Sequence, residues 1–430
     1  MAKDRIISGL DIGSSKVTAI IASVLGEKIN ILGVAQNESR GIKKGQVVDI
    51  EEAVSAIGGC FDAAERMAGV AIGSALIAVG GGHIACQNSK GVVAVSDPQG
   101  EIKEQDDITR VIEAARAVSL PSSREIIHCI PRSFTVDNQA GISDPTGMTG
   151  VRLEIETHII TGSSTAMRNL AKCVADVGIE IEGLVFSGLA ASYAVLSETE
   201  KELGVVLVDI GGGTTSICVY SDGSLIHSAV IPVGAKNITN DIAIGLRVSL
   251  ETAEKIKLSL VKKQKTAVLP EGIKDETKED QDEINLTGLG AAEEIKKVSR
   301  KTLTEGIIRP RLSEIFSLVG MELKGSGLGA ATPAGVVLTG GGAETVLALE
   351  TCRRTLALPV RLGTCEGKVT GLIDEILTPA FAVPVGLILF GLKETETKYA
   401  SGFPFFGKTI AKPMRGIWQK GMEMIKSFLP

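Results

Sequence analysis

The sequence predicts an α/β protein of two lobes with duplicated sheets and an amphipathic helix at the C-terminal end. Three observations predict it. β-rich runs alternate with helical stretches, one strand-Asp-Gly-hydroxyl-strand design occurs twice about two hundred residues apart, and the last segment reverses the charge of the rest. At 430 residues, 44% hydrophobic and 22% charged with 50 glycines, the chain has material for more than one packed core and is rich in tight turns.

The first element is a hairpin. Ile6 to Ile12 reads as a strand, Gly13-Ser14-Ser15-Lys16 as its tip and Val17 to Val24 as the returning strand. The tip gathers backbone N–H groups, two hydroxyls and a lysine at one spot, which suits a phosphate chain, while the Asp11 carboxylate suits its Mg2+. Gly80-Gly81-Gly82 lacks an Asp and precedes a strand-like run, so it reads as a structural turn. The second hairpin repeats the first: Val205 to Ile210 carries Asp209, the tip is Gly211-Gly212-Gly213-Thr214-Thr215, and Ser216 to Tyr220 returns. Either hairpin alone is an ordinary turn more often than a site; two copies imply duplicated halves closing on one phosphate tail. A third turn, Gly340-Gly341-Gly342, follows the strand Gly335 to Thr339 and leads into a helix predicted over Glu344 to Arg354. Glycines there admit a flat ligand close to backbone, and a helix start favours an anion. There is no GxxxxGK[ST], which excludes a P-loop.

Lys393 to Lys412 shows no helical apolar period and carries Gly402, Pro404 and Gly407, so it reads as a linker. Beyond it, Pro413 to Pro430 places Ile417, Trp418, Met422, Ile425, Phe428 and Leu429 on one helical face, with Lys420 and Lys426 on the other. From Lys408 onward the charge is 5 − 1 = +4 against −6 for the whole chain. Six of the fourteen aromatic residues, including the single tryptophan, lie from Tyr399 onward. Trp and Phe beside Lys is the composition of a helix lying in a membrane surface, and basic residues suit an anionic lipid membrane. A terminal helix docked on its own domain is the bland alternative.

Other classes are excluded or disfavoured. No run of about 18 apolar residues exists to span a membrane; the nearest, Pro379 to Leu392, is short and carries two prolines. Asp11 and its charged neighbours stand where a signal peptide needs its apolar stretch, which predicts a chain that is not secreted. The seven cysteines are scattered without a CxxC pair, pointing to reduced thiols and away from zinc, and the four histidines are as dispersed, so they read as structural. Nucleic acid is disfavoured as a partner, since the one strong charge run, Glu271 to Glu283, is acidic at 2 − 7 = −5.

Two Asp-Gly hairpins followed by a Gly-Gly-Gly turn resemble the phosphate-1, phosphate-2 and adenosine motifs of the actin superfamily of ATPases. Gly183 to Leu196 and Thr378 to Gly391 resemble that superfamily's two connecting helices. Ala253-Glu254-Lys255-Ile256-Lys257 resembles its ribose-binding helix, which assigns ribose contacts to Glu254 and Lys257. Within the superfamily, HIACQNSKGVVAV (His83 to Val95), His128 to Glu154 and Asn169 to Val185 are similar to the subdomain, called 1C, that is inserted in the FtsA family of bacterial cell-division proteins. The resemblance runs from Ile6 to the end. It implies an actin-like two-lobed ATPase fold divided as subdomain 1A (1–84, and 166–204 with the first connecting helix), inserted 1C (85–165), 2A (205–244, and 314–392 with the second connecting helix), 2B (245–313), a flexible linker (393–412) and a membrane-targeting helix (413–430).

The same resemblance implies ATP with Mg2+ held by Asp11 and Asp209 through water, self-assembly into an actin-like filament, and a place at the division site on the cytoplasmic face of the inner membrane. It implies that FtsZ binds through its C-terminal peptide on 2B, where Arg300 and Arg309 are the candidate receivers, and that later division proteins bind through 1C. A solvated helix face is an equal reading for either arginine. Actin-like ATPases that hydrolyse well begin the first connecting helix with a Glu or Gln; Val185-Phe186-Ser187-Gly188-Leu189 has neither, which predicts tight binding and slow hydrolysis. Two alternatives share the superfamily: a small-molecule phosphotransferase, which needs a catalytic carboxylate there, and a pilus-assembly protein of the PilM type, where a lipid helix is not expected.

Overall fold

The structure, a computed structural model, describes residues 5–26, 28–265, 283–285, 297–328, 332–371 and 376–401. The chain divides into two units, Met1–Lys393 and Glu394–Pro430. The predicted tail helix and nearly all of the acidic run 271–283 lie outside the described residues.

Two sheets in the first unit repeat one plan. In the six-stranded sheet the order is Glu180–Phe186, Ser74–Val79, Arg5–Ile12, Lys16–Leu25, Lys28–Glu38 and Thr370–Gly371; in the five-stranded sheet it is Val360–Leu362, Val336–Thr339, Val205–Ile210, Thr215–Ser221 and Ser224–Ile231. Apart from the short strand Thr370–Gly371, each sheet is an antiparallel meander of three strands whose first member pairs in parallel with the fourth on its other flank. Strand Val205–Ile210 is buried at every position, as a central strand covered on both faces must be. Helix Ile50–Ala68 packs Ile57, Cys60, Phe61 and Ala64 inward; the Asp49 carboxylate accepts from the Glu52 N–H at its start and Gly69 (φ 69°) ends it. In the second half, helices Ala235–Leu246, Leu250–Lys265 and Arg309–Gly325 build a core around Ile238, Ile242, Ile256, Leu312 and Phe316.

A third sheet, four-stranded and antiparallel, shares no strand pairing with either: Ala85–Ala94, Arg152–Ser163, Arg124–Val136 and Gln139–Ile142, in that order. Helix Thr109–Arg116 covers it, closing a small core of Ile102, Val111, Ala115, Phe134, Leu153 and Ile155.

The two predicted connecting helices differ from their expected bounds. The first starts at Ser187 and ends at Val195, because Gly183 to Phe186 complete the strand Glu180–Phe186. The second follows a 3-10 turn at Pro379–Phe381 and runs Ala382–Ser401, so the expected linker is helical as far as Ser401. Lys and Glu over 393–398 are good helix formers, and extending an existing helix avoids the cost of nucleation, so no apolar stripe is required there. Among the described residues no helix is long and apolar enough to cross a membrane.

Arg361 ties the end of the first connecting helix and the short helix after it, Glu198–Leu203, to the second sheet. Arg361 donates to both Glu200 carboxylate oxygens at 2.6 and 2.7 Å and to the Val195 carbonyl at 2.7 Å. Burial alone would raise the Glu200 carboxyl, but Arg361 and the Ser197 N–H and hydroxyl outweigh it and hold it at about 2. A depressed carboxyl stabilises the fold above its unfolded value of 4.5 and stops doing so as pH falls through about 2. Discounted for the half-exposed guanidinium, Glu200→Gln is expected to cost about 1–2 kcal/mol at pH 7 and almost nothing at pH 2. Denaturation midpoints that differ from wild type by the same amount at both pH values would refute this.

Candidate nucleotide-binding site

Both predicted hairpins form, with matching geometry. Asp11 pairs with Thr18 and Asp209 with Ser216, each two residues before its tip. Each tip closes by one backbone bond, Gly13 N–H to the Lys16 carbonyl at 3.0 Å and Gly211 N–H to the Thr214 carbonyl at 2.9 Å. The tips touch: a Cβ on Gly212 would lie 2.6 Å from that of Ser15, and one on Gly213 would lie 2.8 Å from the Ser14 hydroxyl. Ser14 accepts from the Gly45 N–H at 2.9 Å, and Lys236 reaches across to donate to the Ser14 carbonyl at 2.8 Å.

The third turn meets the second hairpin at its aspartate. Strand Val336–Thr339 runs parallel to Val205–Ile210, and Gly340 (φ 83°) turns so tightly that a Cβ would sit 2.2 Å from the Asp209 carboxylate. After it, Gly341–Glu344 form a 3-10 turn and the helix is Ala348–Leu356; the predicted helix from Glu344 fails because Leu347 adopts a left-handed φ of 67°.

Charge converges here. The Lys16 ammonium interacts with Asp11, Glu344 and Asp209 and lies 5.3 Å from the Phe381 ring centre. Burial pushes the Asp11 carboxyl up to about 6 against the pull of Lys16, and burial together with repulsion from Asp11 pushes Asp209 up to about 7. Two carboxylates facing one half-buried lysine lack positive charge, and a divalent cation fits that deficit. Among the described residues no three His, Cys, Asp or Glu side chains are placed to hold a metal ion, so Mg2+ here would complete its shell with water and phosphate oxygens.

Helix Ala235–Leu246 starts on the second hairpin, its Ala235 and Lys236 N–H groups donating to the Gly211 and Gly212 carbonyls at 2.9 and 2.8 Å. From Leu250–Lys265, Lys257 pairs with Glu254 at 2.8 Å and donates to the Thr239 hydroxyl at 2.9 Å, while Thr239 donates to Glu254 at 2.5 Å. Lys257 is buried and engaged by these groups, and Glu254 keeps the more exposed oxygens. At the first connecting helix, the Ser187 hydroxyl lies 3.4 Å from that of Ser216. Arg309 is held by Glu305 at 2.6 Å and Glu350 at 3.0 Å, so an acidic peptide would have to displace both; Arg300 is half-buried. Lys236, Glu344 and Phe381 carry no motif in the sequence. The one local signal for Lys236 is Gly234 just before a helix start, beside the second hairpin.

The chain is 40% identical over 391 residues to the cell division protein FtsA of Pseudomonas aeruginosa, covering 91% of this chain and 90% of that protein. The chain belongs to the FtsA family. Two family models agree, the SHS2 domain inserted in FTSA over residues 81–161 and cell division protein FtsA over residues 206–386. The first spans most of the separate four-stranded sheet. FtsA membership makes this a cell-division protein. Its fold is the actin-like ATPase fold with the inserted domain. A PilM-PilN type IV pilus biogenesis complex superposes with a TM-score of 0.62 at 16% identity, covering 90% of this chain and 98% of that one. MreB 5 of Spiroplasma citri bound to AMPPNP superposes with a TM-score of 0.50 at 16% identity, covering 93% of this chain and 99% of that one. At such identities these likenesses speak to fold alone, so the FtsA reading stands over the pilus one.

Proposed function

We propose that the chain is an ATP-binding, filament-forming adaptor that tethers the FtsZ division ring to the cytoplasmic face of the inner membrane and helps recruit later division proteins. The observation that carries nucleotide binding is the pair of matched hairpins whose tips touch beside the buried Asp209 and the half-buried Asp11 and Lys16. Gly13, Ser14, Ser15 and Lys16 with Gly211 to Thr215 would hold the phosphates, Asp11 and Asp209 would hold Mg2+ through water, Gly340 to Gly342 would flank the base, and Glu254, steadied by Lys257, would meet the ribose. The MreB 5 relative of the same fold was solved with AMPPNP. Ser187 in place of a water-orienting carboxylate or amide supports slow hydrolysis.

Membrane attachment rests on the sequence of 413–430. Six apolar side chains gain at most roughly 1.5–3 kcal/mol each on full burial. Partial burial and an ordering cost of roughly 1 kcal/mol or more per residue leave a small remainder. One tail would therefore bind reversibly, and many tails on one filament firmly. The test is pelleting on anionic liposomes with ATP, with and without an FtsZ C-terminal peptide. Deleting Pro413 to Pro430 is expected to abolish co-sedimentation and leave nucleotide binding intact; unchanged pelleting would overturn the tail's role, and pelleting indifferent to ATP the coupling.

A further inference from the structure

Six of the seven cysteines are buried, and burial pushes each of those thiols up. Cys86 differs. It is half-buried on Ala85–Ala94, the edge strand of the inserted sheet, where that sheet meets strand Ser224–Ile231 of the second lobe. The seam is polar: His158 Nε2 lies 2.9 Å from the Ser228 hydroxyl, Asn88 donates to the Ile226 carbonyl at 3.5 Å, and Ser224 donates to the Arg132 carbonyl at 2.9 Å. At its centre Cys86 Sγ is 3.7 Å from His227 Nδ1, and His227 Nε2 is 3.1 Å from the Glu322 carboxylate. Thiol, imidazole and carboxylate thus stand in line, drawn from the inserted sheet, the second sheet and helix Arg309–Gly325.

We propose that Cys86 is a nucleophilic thiolate and the site at which hydroperoxides modify this chain, at the seam between the inserted sheet and the second sheet. The thiolate sulfur attacks the peroxide O–O bond; an S–O bond forms, the O–O bond breaks, and the leaving alkoxide or hydroxide takes the His227 proton. The products are a neutral sulfenic acid, a neutral imidazole, and an alcohol or water. The ionic contact across the seam is thereby lost, and two equivalents of an external thiol restore it, releasing water and a disulfide.

The electrostatics agree. Burial would raise the thiol, but the neighbouring imidazoles of His158 and His227 outweigh it and bring it down to about 5, while Cys86 and Glu322 raise His227; of the two, His227 is the ring in direct contact with the sulfur, since His158 is held by Asn88 and Ser228. His158, His227, Glu322 and the buried Cys218 are the titratable groups around the sulfur; Glu156 and Lys90 pair farther along the strands, and helix Thr109–Arg116 packs at Gly91. Against an ordinary thiol near 8.5, such a group has roughly 300 times more thiolate at pH 6, but each thiolate is roughly 25- to 50-fold less nucleophilic. The net effect is about a five- to tenfold advantage at pH 6 that reverses by pH 8.

Iodoacetamide alkylation of the full chain, followed cysteine by cysteine by mass spectrometry across pH, tests this. Cys86 is expected to label first, with a midpoint between about 5 and 6, and to be the cysteine trapped by dimedone after hydrogen peroxide. His227→Gln is expected to move the midpoint toward about 8.5, slower than wild type at pH 6 and faster at pH 8; Glu322→Gln, at a more exposed position, moves it less. A wild-type midpoint near 8.5, prior labelling of another cysteine, or a midpoint indifferent to His227→Gln would overturn the proposal. The wild-type profile decides even where a variant fails to fold.

Discussion

Gly386→Val is expected to cost about 3 kcal/mol or more, seen as a lower melting temperature or loss of soluble protein. Gly386 lies where helix Ala382–Ser401 crosses helix Ser187–Val195, and even a Cβ there would fall 1.9 Å from the Ala190 carbonyl oxygen and 2.4 Å from its carbon. Backbone cannot rotate away as a flexible side chain can, so the helices must separate by more than an ångström. A neighbouring face of the helix is packed as closely: a Cβ on Gly9, in strand Arg5–Ile12, would lie 2.9 Å from the Leu387 Cβ. Gly325→Ala supplies the contrast. It ends helix Arg309–Gly325 with nothing within 4 Å of an added Cβ, and its expected effect is a gain of roughly 0.5–1 kcal/mol from lower chain entropy. Equal melting of Gly386→Val and wild type would mean that the two helices do not cross as described.

The same crossing shows what a sequence can carry. The two hairpins were legible because their chemistry is local: Asp, one residue, then the Gly-containing tip places a carboxylate and N–H groups together whatever the rest of the chain does. Duplication was legible for the same reason, as two identical local designs. The neighbours Lys16 acquires were not, since Glu344 and Phe381 reach it only once three separate chain segments fold onto one another. Leu347 adopts its left-handed φ without any glycine or asparagine to announce it. Helix Ala382–Ser401 outran its apolar stripe because propensity sufficed once the helix had started. The FtsA resemblance supplied the inserted subdomain, which composition alone would have left as another alternating stretch. Gly386, by contrast, looks like any glycine in TPAFAVPVGLILFG; only the backbone 1.9 Å from its missing Cβ explains it.

Asp209→Asn is expected to stabilise the chain without nucleotide while weakening its binding of Mg2+ and ATP. Burial and Asp11 raise the Asp209 carboxyl from 3.8 to about 7, so the fold prefers its protonated form. Stability from this group is therefore full below pH 3.8 and is lost as pH rises to about 7, the reverse of the ion-paired Glu200. Asparagine is neutral at every pH. Its advantage should be absent near pH 4, grow through neutrality and level off by pH 8, on the order of 2–4 kcal/mol before relaxation. With Mg2+ present the sign reverses, because the ionised pair then faces the charge it lacks, and the amide loses a charged partner worth roughly 1.5–3 kcal/mol, or about ten- to a hundredfold in affinity. Asp11→Asn should follow the same course less steeply, its carboxyl being raised only to about 6. Melting curves at pH 4, 6 and 8, with and without Mg2+ and ATP, separate the two effects. A variant less stable than wild type without nucleotide at pH 8 would show that Asp209 is held by favourable contacts, and one with undiminished Mg2+-dependent stabilisation would remove the carboxylate from the metal's surroundings. Both expected results together would mean that the chain keeps a destabilising pair of carboxylates because the bound cation and phosphates need it.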